Sequence, residues 1–228
     1  MRVLVSVLMT LALTPTGADA GYDATWYRMK FWSGEYPAGF SVIRTGTTVM
    51  ARAGMDKDLP RIVPCALPYR AVIHPWNRAR NRKSRIEFHA AARIVRLVAK
   101  EDFEFVGVDG QVSIRLPMKT RDVIEYIHYL GEGLFQVRVA GKEYTASQNL
   151  FEHVEDVPKD QFVEDNWAVM TCDNGKRAYI FFNDLRDPAD PGTFIPGIAG
   201  ADAGLQRYGH FRDLTEAEIQ ALERKRRQ

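Results

Sequence analysis

Side chains able to perform acid–base, nucleophilic or metal chemistry are few and scattered in this sequence. The chain has five histidines, which are widely separated. These are His74, His89, His128, His153 and His210. None belongs to a His-Glu-x-x-His metal motif, and the chain has no Gly-x-Ser-x-Gly elbow, no phosphate-binding glycine loop and no Cys-x-x-Cys pair. The sequence therefore predicts no catalytic residue, no metal site and no cofactor.

The two cysteines, Cys65 and Cys172, are the remaining candidates for covalent chemistry. In an oxidising compartment, two cysteines so far apart in sequence are typical of one structural disulfide. The alternative is a catalytic pair, with Cys65 as the nucleophile and His74 as its base. We favour the disulfide, which joins the N-terminal half of the chain to its C-terminal part.

Aromatic residues are the main candidates for ligand binding, and they are dense in residues 22–40. Glycine and proline interrupt the second half of this segment, as is typical of a loop. Exposed aromatic side chains on such a loop would suit a sugar or a peptide, so Trp32, Tyr36 and Phe40 are candidate ligand residues. The alternative is that these rings fill a core.

The most basic segment is residues 78–85, RARNRKSR, which follows Trp76 closely. In isolation such a cluster suits an anion: lipid A, lipoteichoic acid, an anionic phospholipid or nucleic acid. Trp76, Arg80, Arg82 and Lys83 therefore join the candidate ligand residues. The alternative is a solvated hairpin tip whose charges keep a sheet edge soluble. The formal net charge of the whole chain is only +2, so composition alone does not indicate a polyanion partner.

Residues 1–20 have the pattern of a secretory signal peptide. Arg2 precedes an apolar run, which is followed by Pro15 and by the small-x-small ending Ala18-Asp19-Ala20. No later apolar stretch reaches the length of a membrane span. We therefore expect an exported chain, periplasmic or secreted, with no transmembrane segment and no nucleic-acid partner.

The most regular β pattern lies in residues 110–152. Residues 134–140 alternate, with Phe135, Val137 and Val139 predicted on a buried face and Gln136 and Arg138 on the other. The runs 123–130 and 142–146 flank this strand and are joined to it through glycine-containing turns. The pattern predicts an antiparallel meander.

Two C-terminal elements are also predicted. Residues 165–183 read as a hairpin around Asn174-Gly175, a pair typical of type I′ turns. Thr215 and Glu218 have the spacing of a helix capping box. Leu214, Ile219 and Leu222 give the final helix its apolar stripe.

Residues 110–152 resemble the bacterial SH3-like (SH3b) family. The motif VSIR at 112–115 is similar to the first strand of that family, and GLFQVR at 133–138 resembles its Gly-x-Trp-x-Lys-Val strand, with Phe135 in place of tryptophan. The motif GKEY at 141–144 resembles the closing turn. The resemblance implies a small β-barrel, and residues 41–76 carry a fainter version of the same pattern, which implies a second copy.

These features predict a mainly β fold with one or two small SH3-like β-barrels, a C-terminal hairpin and a short terminal helix. The predicted divisions are a signal peptide at 1–20, an N-terminal β unit at 21–105, an SH3-like barrel at 106–155, and the hairpin, loop and helix at 156–228.

The predicted function is that of an exported, non-enzymatic binding module for a cell-envelope ligand, either peptidoglycan or a peptide. Its partner would be an envelope polymer or a protein. One alternative is an enzyme with a dispersed active site, and another is a secreted factor that contacts a second protein. A groove of aromatic side chains favours the first, a pocket with perturbed acids or histidines favours the second, and a flat apolar patch favours the third.

Overall fold

The structure is a computed structural model that describes residues 21–30, 37–201 and 211–226. The predicted signal peptide, Trp32 and Tyr36 lie outside the described residues. Strands predominate in the described part of the chain, which confirms the mainly β class. The strands are β1 (Trp26–Met29), β2 (Phe40–Val42), β3 (Thr48–Ala51), β4 (Val63–Ala66), β5 (Val72–Ile73), β6 (Glu87–Arg93), β7 (Val95–Val98), β8 (Phe103–Asp109), β9 (Val112–Met118), β10 (Val123–Gly131), β11 (Leu134–Val139), β12 (Lys142–Ser147), β13 (Glu164–Thr171), β14 (Arg177–Phe181) and β15 (Ile198–Gly200).

Helices are few in the described ranges. They are α1 (Arg78–Ser84) and α2 (Glu216–Arg226), with short 3-10 helices at Gln148–Glu152, Lys159–Gln161 and Phe182–Leu185. Within those ranges, no helix has the length and apolar character that crossing a membrane requires.

The strands form four sheets. A four-stranded sheet has the order β1-β6-β13-β14, and a six-stranded sheet has the order β7-β10-β11-β12-β8-β9. Smaller sheets have the orders β15-β2-β5 and β3-β4. The six-stranded sheet ends at β7 and β9, so it is open, unlike the closed barrel predicted from the sequence. Strand β9 exposes most of its side chains, and therefore little apolar burial would be gained by curling it onto β7.

The predicted meander is present. Strands β10, β11 and β12 are antiparallel neighbours, with Tyr126 opposite Val137 and Val137 opposite Tyr144. All three residues of the turn before β11, Gly131 to Gly133, have positive φ, and so do the two turn residues that precede β12. Such conformations favour glycine, which explains why glycine occupies most of these positions.

Residues 41–76 do not repeat this arrangement. Strand β2 pairs with β5 on one side and with β15 on the other, whereas β3 and β4 form a separate ribbon. The SH3-like resemblance of either segment stays a prediction.

The chain folds around two main hydrophobic cores. One core combines N-terminal and C-terminal residues, because β13 pairs with β6 across the four-stranded sheet. The other belongs to the six-stranded sheet and uses only residues 95–162. This middle unit begins at β7, upstream of the boundary at 106 predicted from the sequence, because β7 pairs with β10.

The polar face of the meander also makes internal contacts. Gln136 contacts both the His128 ring and the Glu143 carboxylate, and Arg138 forms ion pairs with Glu125 and Glu143. His128 is buried and stacks on Tyr27 of β1, with ring centroids 5.9 Å apart. The alternation predicted for β11 is correct, and its polar side joins the two larger sheets.

The disulfide predicted from the sequence is present. Cys65 of β4 and Cys172 of the C-terminal hairpin are bonded, with their Cα atoms 5.2 Å apart. Asp173 N–H donates to the Ala66 carbonyl at 2.9 Å, so the hairpin tip is also hydrogen-bonded to β4. The pairing excludes Cys65 as a free nucleophile, and it fits an oxidising, exported environment.

The hairpin turn differs in detail from the predicted type I′ turn. Gly175 has a φ of +78°, but Asn174 is not in the left-handed region that type I′ requires of it. Gly175 N–H donates to the Cys172 carbonyl at 2.8 Å, and the Asn174 side chain donates to the Pro64 carbonyl at 2.7 Å. The side chain of Asn174 therefore joins the turn to β4, and glycine alone takes the left-handed position.

The C-terminal helix has the predicted cap and apolar stripe. Thr215 N–H donates to the Glu218 carboxylate at 2.7 Å, and Glu218 N–H donates back to the Thr215 hydroxyl at 3.4 Å. Leu214, Ile219 and Leu222 are buried together. The helix therefore packs through its predicted face.

Asp213, just before α2, ties this end of the molecule to α1 and β5. Its carboxylate accepts hydrogen bonds from Arg80 Nε at 2.8 Å, Val72 N at 3.2 Å and Asn77 Nδ2 at 3.3 Å. Burial acts to raise the pKa of Asp213, but these donors outweigh it and hold the pKa below its ordinary value. The charged form is thus favoured by the fold.

The first prediction concerns the disulfide. Protein folded under oxidising conditions should show no thiol to an alkylating reagent until it is reduced in denaturant. Replacing both cysteines with alanine should lower the free energy of unfolding by on the order of 4 kcal/mol, because the bond closes a long loop. Two alkylated cysteines in the native, oxidised protein would contradict the pairing.

The second prediction concerns Asp213→Asn. At pH 7 we expect a loss of about 1 kcal/mol of unfolding free energy, since the carboxylate is partly exposed and its charge-assisted bonds are screened. A carboxylate with a lowered folded pKa stabilises above its unfolded pKa, and that contribution is lost as the pH falls through the folded value. The difference from native protein should therefore shrink below about pH 4.

Urea unfolding at pH 7 and pH 3 measures both effects of Asp213→Asn. Asp160→Asn, which removes an exposed carboxylate, is the control and should change stability by less than about 0.5 kcal/mol. An equal loss in the two variants would refute the role assigned to Asp213.

Candidate functional site: an aromatic cleft

A cleft lined by aromatic rings opens beside the core of the six-stranded sheet. Its volume is about 340 Å³. The rings belong to Tyr126, Phe135, Phe151 and Phe162, and we call this site the aromatic cleft. Its rim is formed by Glu155, Asp156, Val157 and Lys159.

The meander positions the first two rings. Tyr126 lies opposite Val137, and Phe135 is two residues before Val137 on β11. Because side chains alternate between faces along a strand, Tyr126, Phe135 and Val137 share one face of the sheet. Val137 is fully buried, whereas Phe135 is only half-buried. The sequence analysis predicted the correct face for Phe135. The structure places this ring at the border of the core, where it is half-buried, and not inside the core as predicted.

The third ring comes from the 3-10 helix that follows β12. Gln148 N–H donates to the Gly133 carbonyl at 2.8 Å, which fixes the start of this helix against the turn before β11. Leu150 is buried in the core, and its neighbour Phe151 remains half-buried at the edge. Phe151 therefore stands beside Phe135.

The fourth ring lies on the return segment, residues 155–162. Its start is held by a hydrogen bond from Glu155 N–H to the Val98 carbonyl at 2.8 Å, and just beyond its end Arg93 N–H donates to the Val163 carbonyl at 2.8 Å. Between these anchors the chain bends through Pro158 and a 3-10 turn. The bend brings Phe162 against Tyr126.

The four rings contact each other along the cleft wall. Tyr126 and Phe162 have centroids 4.8 Å apart in an edge-to-face arrangement, and Phe135 and Phe151 are 5.1 Å apart in the same geometry. Phe135 also contacts the Tyr129 ring at 5.4 Å. Edge-to-face packing orders the rings, and Phe135, Phe151 and Phe162 remain partly exposed.

The Tyr126 hydroxyl is a polar group inside this apolar site. Tyr126 is 8% exposed, yet its hydroxyl has no hydrogen-bond partner in the described part of the chain. Burial, and then the negative charge of Glu164, raises the pKa of Tyr126 well above its ordinary value. The hydroxyl therefore stays protonated and is available to donate to a ligand.

The rim of the aromatic cleft is charged. Glu155 and Asp156 are exposed, and neither carboxylate has a hydrogen-bond or ion-pair partner among the described residues. Lys159 supplies one positive charge and is likewise without an ion pair among those residues. The aromatic cleft therefore combines apolar rings, one hydroxyl donor and a rim with more negative than positive charge.

Such an arrangement can bind a ligand. Rings, a neutral hydroxyl and exposed carboxylates hold an apolar or cationic group through dispersion, cation–π attraction and charge. Within the described ranges, no three His, Cys, Asp or Glu side chains come close enough to hold a metal ion.

Of the aromatic residues selected from the sequence, Phe40 and Trp76 can be located. Phe40 is fully buried in the first core, where its ring meets Phe182 at 5.6 Å, so core packing accounts for it. Trp76 is half-buried and contacts His74 and Phe211. Phe40 and Trp76 both border a second cleft of about 450 Å³, where Phe40 contributes part of the wall.

His74 in that second cleft is held by the backbone. It is 2% exposed, and its Nδ1 accepts from Trp76 N–H at 3.1 Å. Its Nε2 lies 3.0 Å from the Pro37 carbonyl, which needs a donor. The two contacts together select the neutral tautomer protonated at Nε2. This geometry gives His74 a structural role.

The basic segment is a helix, which corrects the predicted loop or hairpin tip. Asn77 caps the start of α1 by accepting from Arg80 N–H, and Arg85 ends it in the left-handed conformation with a φ of +49°. The Arg80 guanidinium binds Asp213 and is therefore engaged within the fold. Arg82 and Lys83 are exposed.

A shallow basic groove lies beside α1. It has a volume of about 730 Å³, and Lys30, Trp76, Arg78 and Arg82 are among its lining residues. The structure thus brings Trp76 and Arg82 to one surface, whereas Arg80 is committed to Asp213. This basic groove is separate from the aromatic cleft, with which it shares no lining residue.

Sequence reasoning missed most of the aromatic cleft. Tyr126, Phe151 and Phe162 lie on separate elements and form no local motif. Glu155 and Asp156 stand in a stretch without periodicity. The signal available was Phe135, the large aromatic residue on the apolar face of β11.

The third prediction compares two Phe→Ala substitutions in the same core. Phe105→Ala removes a ring that is 2% exposed and should cost about 3–5 kcal/mol of unfolding free energy. Phe135→Ala should cost about 1–2 kcal/mol, because the half-buried ring loses less apolar burial. Urea unfolding of both variants makes the comparison, and equal losses would show that Phe135 is a core residue instead of a cleft residue.

The chain was compared with known protein families, curated proteins and solved structures. No protein-family model, no curated protein and no solved structure matches the chain.

Proposed function

We propose that this protein is an exported binding protein whose aromatic cleft recognises a peptide of the cell envelope, such as the peptide portion of peptidoglycan. The observation that carries the proposal is the aromatic cleft itself, which is lined by four rings, one of them the ring of Tyr126, whose hydroxyl has no partner among the described residues. Aromatic clefts with a few polar groups are typical ligand sites. Peptides supply both the apolar side chains that rings bind and the carbonyl groups that a hydroxyl donor binds.

The geometry favours binding over the alternative of a dispersed active site. The Tyr126 pKa is raised, so its hydroxyl is a donor and a poor nucleophile. The carboxylates on the rim are exposed, and no histidine is among the described residues that line the cleft. These features support ligand binding as the role of the aromatic cleft.

The Cys65–Cys172 disulfide supports the exported location. Disulfides form and persist in the periplasm and outside the cell. A protein in either place meets envelope polymers and secreted peptides directly.

The basic groove beside α1 is the competing surface. Arg78 and Arg82 are exposed there and would attract an anionic envelope polymer. Binding through that groove would depend strongly on salt, because exposed charges are screened over about 8 Å at physiological ionic strength.

The fourth prediction is that the protein sediments with purified, insoluble cell wall and that Phe151→Ala weakens this binding. Phe151 is half-buried, so its removal should open the aromatic cleft at a moderate cost in stability. Leu134→Ala is the matched control, because Leu134 is an exposed apolar residue of the same sheet outside the cleft lining. Near-ultraviolet circular dichroism checks that both variants remain folded.

The outcomes separate the two surfaces. If the native protein stays in the supernatant at low salt, cell-wall binding is wrong. If Phe151→Ala sediments like native protein while Arg78→Gln with Arg82→Gln does not, the basic groove is the binding surface instead of the aromatic cleft.

A further inference from the structure

Among the described residues, several acidic side chains in or next to the six-stranded sheet form ion pairs, whereas the carboxylates on the rim of the aromatic cleft do not. Asp102, Glu104 and Asp109 are each paired with a lysine or arginine at 2.9 Å or less. Glu155 and Asp156 are adjacent, exposed and without such a partner in the residues that the structure describes. A cationic ligand would supply the missing counter-charge.

The rings below these carboxylates suit the rest of such a ligand. Phe135, Phe151 and Phe162 offer apolar surface to an aliphatic chain, and aromatic faces attract a cation within about 6 Å of the ring centre. At about 340 Å³, the cleft is near the lower end of the range for small-molecule sites, about 300–1,000 Å³. The space therefore suits one long side chain better than a row of sugar rings.

The third feature is the Tyr126 hydroxyl. It belongs to a side chain that is largely buried, it has no partner among the described residues, and a ligand that covered it without offering an acceptor would leave it unsatisfied. A peptide carbonyl next to the bound side chain would accept this hydrogen bond. The three features together call for a peptide group, an aliphatic stem and a terminal cation.

We propose that the aromatic cleft recognises the ammonium-bearing side chain of a diamino acid within a peptide. The stem lies against Phe135, Phe151 and Phe162, and the ammonium group lies at Glu155 and Asp156. This inference rests on the proposed function and names the ligand class of that site. Lys159, which also lines the aromatic cleft, opposes cation binding through its positive charge and weakens the affinity.

The fifth prediction is tested with three capped amino acids: N-acetyl-lysine, N-acetyl-norleucine and N-acetyl-glutamate, all as N-methylamides. Titration of the isotope-labelled protein, followed by NMR, gives the site and the Kd of each. At low salt we expect the lysine probe to bind about fivefold more tightly than norleucine, which has a similar stem without the charge. The glutamate probe should bind most weakly, and high salt should reduce the lysine advantage.

Substitutions on the rim identify the source of that advantage. Glu155→Gln combined with Asp156→Asn should bring the lysine Kd close to that of norleucine and leave the norleucine Kd unchanged. Lys159→Gln should tighten lysine binding about twofold. Asp102→Asn combined with Glu104→Gln is the matched control, because these two acids are exposed on the same sheet but already paired, and it should change neither Kd.

The experiment distinguishes failure of the inference from failure of the proposed function. If lysine and norleucine shift the cleft resonances with equal Kd values, the charge-based choice of ligand is overturned and peptide binding at the aromatic cleft stands. If no probe shifts the resonances of Tyr126, Phe135 and Phe151, the proposed function of this site is overturned together with the inference. A third outcome is that the lysine probe binds the protein in solution while the protein does not sediment with cell wall. That result would indicate that the ligand is a soluble peptide.

Discussion

The antiparallel pairing of β6 with β13 is the constraint on which the rest of the structure depends. It places Ala92 opposite Glu164, so the chain between these residues must leave the four-stranded sheet and return to the same point. That excursion forms the six-stranded sheet with a core of its own. The aromatic cleft lies where the excursion closes, because residues 155–162 must cross the edge of that core to reach β13.

The crossing explains why the rings remain accessible. The return segment carries the exposed residues Glu155, Asp156 and Lys159, and the Phe135 and Phe151 rings beside it stay half-buried. Apolar surface that remains exposed beside a polar rim is typical of a binding site in a soluble protein.

A second constraint holds the periphery together. The disulfide and the hydrogen bonds of the hairpin tip fix the C-terminal hairpin to β4, and Asp213 fixes the C-terminal helix to α1 and β5. These contacts use Arg80, so this part of the basic segment stabilises the fold while Arg82 and Lys83 stay at the surface. The charged residues of one short helix thus divide between contacts within the fold and the exposed surface.

Local patterns in the sequence determined the elements that depend on residues close together in the chain. The alternation of residues 134–140 gave β11 and its faces, the glycine turns gave the meander, Thr215 and Glu218 gave the cap of α2, and two cysteines gave the disulfide. Tertiary structure alone decided which rings meet. Tyr126, Phe135, Phe151 and Phe162 are brought together by strand pairing and by the return to β13, and no local spacing encodes such long-range pairing. It also decided that Arg80 pairs with Asp213 and that Phe40 is buried, since burial and ion pairing depend on neighbours distant in sequence.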